Sequence, residues 1–131
     1  MEPHASRGQS LSVLMLVATT ALFLMVGLVV DGGQRVTATR RAVAVADQAA
    51  RAATDAAAAS RLEGVSYTAA AEDAAREVLA AHPDVTGSVS VGAGTVTVTT
   101  RTESDTIFLS LIGLRRVVGE GRAAADLVRL G

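Results

Sequence analysis

Leu11 to Val30 (LSVLMLVATTALFLMVGLVV) is a twenty-residue run without a single charge. An α-helix of that length crosses about 30 Å of hydrocarbon at about 1.5 Å per residue. The run predicts a membrane anchor, with residues 1–10 (MEPHASRGQS) as a short tail on one side and everything after Asp31 on the other. Two other readings compete with it. A secretory signal has an apolar core of roughly 7–15 residues closed by a small-x-small cleavage site. Here the run is longer, and the first such triplet, Ala42-Val43-Ala44, comes late. A buried core helix would need large side chains around it. Phe23, Tyr67 and Phe108 are the only aromatic residues, and alanine and valine supply most of the remaining apolar surface. A retained anchor is therefore expected, and whatever folds beyond it must have a thin, tightly packed core.

Of the 131 residues, about a hundred remain for one small domain outside the membrane. The net charge of −1 leaves no nucleic-acid footprint. Without cysteine there are no disulfides, thiolate metal sites or cysteine nucleophiles, which is compatible with an oxidising compartment.

Beyond the anchor, Val36 to Ala59 reads as helix: eleven of the eighteen residues from Ala42 to Ala59 are alanine, the strongest helix former. Asp47, Arg51 and Asp55 recur at i,i+4 spacing and form a charged stripe on one face, either a solvated surface or a contact with a neighbouring subunit. Asp31-Gly32-Gly33 lies between anchor and alanine-rich segment, where each glycine costs roughly 1 kcal/mol relative to alanine if helical. A hinge or a close helix–helix approach is expected there. If the helix runs through instead, Leu11 to Ala59 is one rod on the order of 70 Å long.

Gly64 suits the left-handed position that closes the helix. A second helix starts near Ser66 or Thr68 and runs through AAAEDAAREVLAA, with Ala71, Ala75, Val78 and Leu79 on one side and Glu72–Arg76 paired on the other, until His82-Pro83 stops it. The period then changes to two. Val85, Gly87, Val89 and Val91 alternate with polar residues, Gly92-Ala93-Gly94 turns the chain, and Val96 and Val98 alternate with threonines, as in a β-hairpin with one apolar face. Ile107 to Leu114 is too short to span a bilayer and is expected to pack over the sheet. From Arg116 the chain reads as a third strand with Val117, Gly119, Gly121, Ala123, Ala125 and Leu127 on one face. A helix over Ala123–Leu130 is the competing reading, but a lone hairpin is marginal in water.

The residues offer little chemistry. Acid–base and nucleophilic catalysis need side chains within hydrogen-bond reach of one another, and the anchor separates His4 from His82. His82 suits the C-terminal carbonyls of the second helix. The serines are scattered without a G-x-S-x-G elbow, and Gly92-Ala93-Gly94 is followed by a strand where a dinucleotide fingerprint needs a helix. No catalytic residue, cofactor or metal ligand is assigned. Asp31, at the membrane boundary, either marks the interface or makes a polar contact with a partner.

In this order and spacing the chain resembles the TadE/TadG-type proteins of tight-adherence (Flp) pilus assembly, particularly the short actinobacterial ones. The resemblance rests on Arg7-Gly8-Gln9-Ser10 before the apolar run, Val29-Val30-Asp31-Gly32-Gly33 at its end, and the segment from Arg40-Arg41-Ala42 to Asp47-Gln48-Ala49-Ala50-Arg51-Ala52-Ala53. Val96-Thr97-Val98-Thr99 and Phe108-Leu109-Ser110-Leu111-Ile112-Gly113-Leu114 extend it. It implies a bitopic, pseudopilin-like protein with a long N-terminal helix and a small extracytoplasmic domain. Gly8–Gln9 is the candidate for prepilin-type processing, with Val13 where the family's fifth mature residue is glutamate. Arg35, Arg40 and Arg41 outweigh Arg7, which Glu2 offsets. The local arginine count alone therefore puts the C-terminal side in the cytoplasm, whereas the resemblance implies the reverse.

The expectation is an α+β chain: tail at 1–10, transmembrane helix at 11–30, alanine-rich helical stalk at 31–63, and a small extracytoplasmic α/β domain at 64–131 with a second short helix and an antiparallel sheet of two to three strands. Its function is structural and non-enzymatic, in a cytoplasmic membrane, through contacts with pilus or secretion-machinery proteins or a second copy. The candidate contact residues are Asp31, Asp47, Ala49, Arg51, Ala53, Asp55 and Ala56, because small side chains let helices approach closely. The rival reading is an anchored extracytoplasmic binding or sensor module unrelated to pili.

Overall fold

The apolar run and the alanine-rich segment fold as one uninterrupted helix. In the computed structural model, which describes residues 5–128 and their side chains from Ser10 onward, α1 spans Ala5–Leu62, roughly 87 Å. Gly32 and Gly33 lie inside it with open space where a side chain would be. Neither a hinge nor a close approach occurs there, and the rod prevails because intact turns on both sides hold the two glycines in register. The helix closes on Gly64, whose φ of +73° lets the Val65 N–H donate to the Ser60 carbonyl at 3.0 Å and the Gly64 N–H to that of Arg61 at 3.3 Å. These are the two bonds of a Schellman ending.

The second helix, α2 (Tyr67–Ala80), begins after Ser66, whose side chain makes no capping bond. Ala71 and Ala75 are buried and Val78 and Leu79 half-buried, while Glu72 and Arg76 pair on the outer side. At its end the Nδ1–H of His82 donates to the Val78 carbonyl at 2.8 Å.

Three antiparallel strands follow in the order β1 (Val85–Gly92), β2 (Thr95–Asp105), β3 (Arg116–Asp126). Gly92 pairs with Thr95, leaving Ala93 and Gly94 as a two-residue turn with φ of +51° and +77°, the doubly positive pattern that matches strand twist. The third strand forms as expected, with Gly119 and Gly121 buried and Ala123 and Ala125 half-buried on one face. Both helices pack on that face, and the opposite face, with Thr86, Ser88, Thr99 and Arg122, is exposed.

The core is thin because its parts meet backbone to backbone. Ala38, Ala42, Ala46, Ala49, Ala53 and Ala57 of α1 are buried, and β3 lies directly across Ala38 and Ala42. A Cβ on Gly119 would overlap the backbone of Ala38 and Thr39, and one on Gly121 would stand 2.5 Å from the Ala42 carbonyl carbon. Residues 38–57 thus supply one side of the packed core. Thr100 and Thr102 share the buried face with Val96 and Val98. Their hydroxyls donate to the Ala42 carbonyl at 2.7 Å and the Asp84 carbonyl at 2.8 Å. Arg41 closes the same corner on the Asp84 carboxylate at 2.9 Å and 3.1 Å. That guanidinium outweighs desolvation and holds the Asp84 carboxyl below the ordinary carboxylate range, so the pair stays charged at neutral pH.

Candidate functional site

Two surfaces are set up by α1: a collar where it leaves the apolar run, and a charged stripe farther along. At the collar Asp31 turns inward and is 1 % exposed. Its carboxylate accepts three consecutive backbone N–H groups from the β2–β3 loop. Ile107 donates to Oδ1 at 2.8 Å, Phe108 to Oδ2 at 3.1 Å and Leu109 to Oδ2 at 2.5 Å. These amides lead into a 3₁₀ turn, Leu109–Ile112, and the first N–H groups of a helical turn have no carbonyl of their own to bond. An ionised acceptor answers all three, with shorter and stronger bonds than a neutral one. The ring of Phe108 then seats on Gly27, where a Cβ would stand 2.8 Å from its Cγ.

The loop therefore does not cover the sheet. It hangs beside α1 because Asp31 fixes its amides there and Gly27 makes room for the ring. Within the chain the Asp31 carboxylate is occupied by these three N–H groups. The signal was present in two places, a lone acid closing an apolar run and a short uncharged run lacking donors' partners, but nothing in the spacing joins positions so far apart in sequence.

Of the other contact candidates, Ala49 and Ala53 are fully buried against the chain's own core and Ala56 is half-buried. Small side chains let surfaces meet closely, and here the surface met is the chain's own α2 and sheet. Asp47, Arg51 and Asp55 remain exposed on the outer side of α1. With Ala44 and Gln48, Asp47 and Arg51 border a shallow concavity of about 320 Å³. Gly8 and Gln9 fall in the first turns of α1, ahead of the described side chains, and His4 lies outside the described residues.

A second concavity of about 540 Å³ opens at the far end between Thr54, Ala58, Arg61 and the end of β3. Its polar groups serve the fold: Arg61 lies over the Tyr67 ring, 5.2 Å from its centre, and Asp126 accepts the Thr95 hydroxyl at 2.9 Å. Among the described residues no group of three metal-ligating side chains converges.

Residues 8–61 match the model of a family described as putative Flp pilus-assembly TadE/G-like. The match covers nearly all of α1, from the apolar run through the alanine-rich segment. No curated protein and no solved structure matches the chain.

Proposed function

On the premise of a TadE/G-like chain, we propose that it is a membrane-anchored, pseudopilin-like structural component of a Flp/Tad-type pilus assembly system. Its domain lies outside the cytoplasm and works by protein contacts. The observation that carries this reading is the division of α1. Its first part is an almost wholly exposed apolar surface long enough to cross a membrane. Its second part is buried on one side by α2 and the sheet and bare on the other, where Asp47, Arg51 and Asp55 stand. Such a helix carries a domain at a fixed height and presents one polar flank to a neighbour, either another pilus component or a second copy.

Photo-crosslinking residues at 47, 51 and 55, with a control at exposed Ser90, test the flank in cells. Crosslinks to a Tad component or to the chain itself from α1 but not from the control are expected. Uniformly absent crosslinks, with normal pili in a charge-reversed Asp47→Arg/Arg51→Glu variant, would leave this face as solvated surface. An alkaline phosphatase fusion after Gly131 is expected to be active. Activity of only a cytoplasmic reporter there would overturn both the topology and the pilus reading.

A further inference from the structure

The β2–β3 loop is the second concentration of apolar surface in the chain. Leu111 is 83 % and Ile112 73 % exposed, with Ile107 and Leu114 also largely uncovered. No charge occurs between Thr106 and Leu114, and Arg115 and Arg116 follow at once. Phe108, Leu111 and Ile112 form one wall of a groove of about 430 Å³ whose other wall includes Phe23, Gly27 and Leu28. Those helix residues belong to the apolar run. Phe23 precedes Val30 by seven positions, which sets it roughly 10 Å below the end of the run. Where that stretch of α1 is in hydrocarbon, the loop beside it is at the same depth.

Backbone can enter an apolar layer only where its polar groups are bonded within the protein, and six N–H groups of this loop are so bonded. Asp31 takes the N–H groups of Ile107, Phe108 and Leu109. Those of Leu111, Gly113 and Leu114 donate to the carbonyls of Phe108, Ser110 and Leu109. The Thr106 and Ser110 hydroxyls donate to the carbonyls of Leu114 and Ile107. Arginine at the end of an apolar segment keeps its charge at the headgroup phosphates; Arg115 takes that place, while Arg116 pairs with Glu103 and Asp105.

We propose that residues 107–114 are a second membrane contact, an apolar finger inserted beside α1 into the leaflet on the domain's side, with lipid acyl chains as its occupant. Lipid is favoured over a second protein because the finger's surface is continuous with that of the span, so lipid around one reaches the other. The proposal rests on the reading of Leu11–Val30 as a span. It makes the domain's attachment two-point, helix and finger, clamped together by Asp31.

The absence of cysteine makes the test clean. The full-length chain, as Leu111→Cys, Ile112→Cys or Ser90→Cys, is labelled with an environment-sensitive fluorophore and reconstituted in phosphatidylethanolamine–phosphatidylglycerol vesicles. At 111 and 112, quenching by lipids with nitroxides near the headgroup is expected, with several-fold weaker quenching by aqueous iodide than at 90, at every protein-to-lipid ratio. Iodide quenching equal to that at 90 would overturn the finger. So would shielding that fades on dilution into lipid, which makes the occupant a second copy, or shielding seen only in native membranes, which makes it another protein. Flotation of the same vesicles separates the readings: a chain that fails to float has no span, whereas one that floats with a wet finger has lost only the finger.

Discussion

Asp31 shows how one side chain can carry more of the architecture than its surroundings suggest. At the end of an apolar run a carboxylate is costly unless it is bonded, and here three backbone N–H groups meet it at 2.5–3.1 Å. The bond set ties position 31 to positions 107–109, so the acid holds a distant loop as much as it ends a helix. Asp31→Ala leaves those amides without an acceptor, and a buried donor that loses its partner bears its full desolvation cost. The expected outcome is local: amide hydrogen exchange at Ile107, Phe108 and Leu109 becomes fast, while Thr100 and Gly121 in the β2–β3 ladder keep their protection. Unchanged exchange at the three amides would mean that the loop holds its place without the acid.

Among elements, the contact between β3 and α1 decides how close the layers lie. Alanines on the helix and glycines on the strand remove the side-chain layer that normally separates a sheet from a helix. Gly121→Ala puts a Cβ 2.5 Å from backbone atoms of Ala42 and Val43, which cannot rotate away as a side-chain end could. Thermal unfolding of this variant in detergent is expected to show a loss of about 1–3 kcal/mol, the usual range for overpacking; an unchanged midpoint would mean that β3 is free to shift off the helix. The elements themselves were legible in the sequence. The change of period from 3.6 to 2 marks the passage from helices to sheet, and the third strand shows in Gly119, Gly121 and Ala123 at alternate positions. The partners of each face were less legible. A small-residue face suits any close neighbour, so Ala49 and Ala53 read equally well as a docking surface and as a core. Alternation puts Thr100 and Thr102 on the same face as Val96 and Val98, but nothing in the spacing shows the carbonyls that their hydroxyls bond at 2.7 Å and 2.8 Å inside.

For the whole molecule the question is whether the domain swings on the apolar half of α1 or moves with it. Two adjacent glycines at the end of the apolar run read as a flexible joint, and a joint there would uncouple the charged flank of α1 from that run. The structure argues for a stiff connection. The helix continues through Gly32 and Gly33, and the loop held by Asp31 bridges from the sheet back to Gly27, across the glycine pair. Bending at 32–33 would have to break that bridge. The pair also lies in open space, so the double variant Gly32→Ala/Gly33→Ala meets no clash and gains helix propensity of about 1 kcal/mol per residue. Its unfolding midpoint is expected to equal or exceed that of the native chain, with pili assembled normally. A variant that is stable but fails to support pili would show that the bend itself is used, and the rigid, two-point attachment would have to be given up.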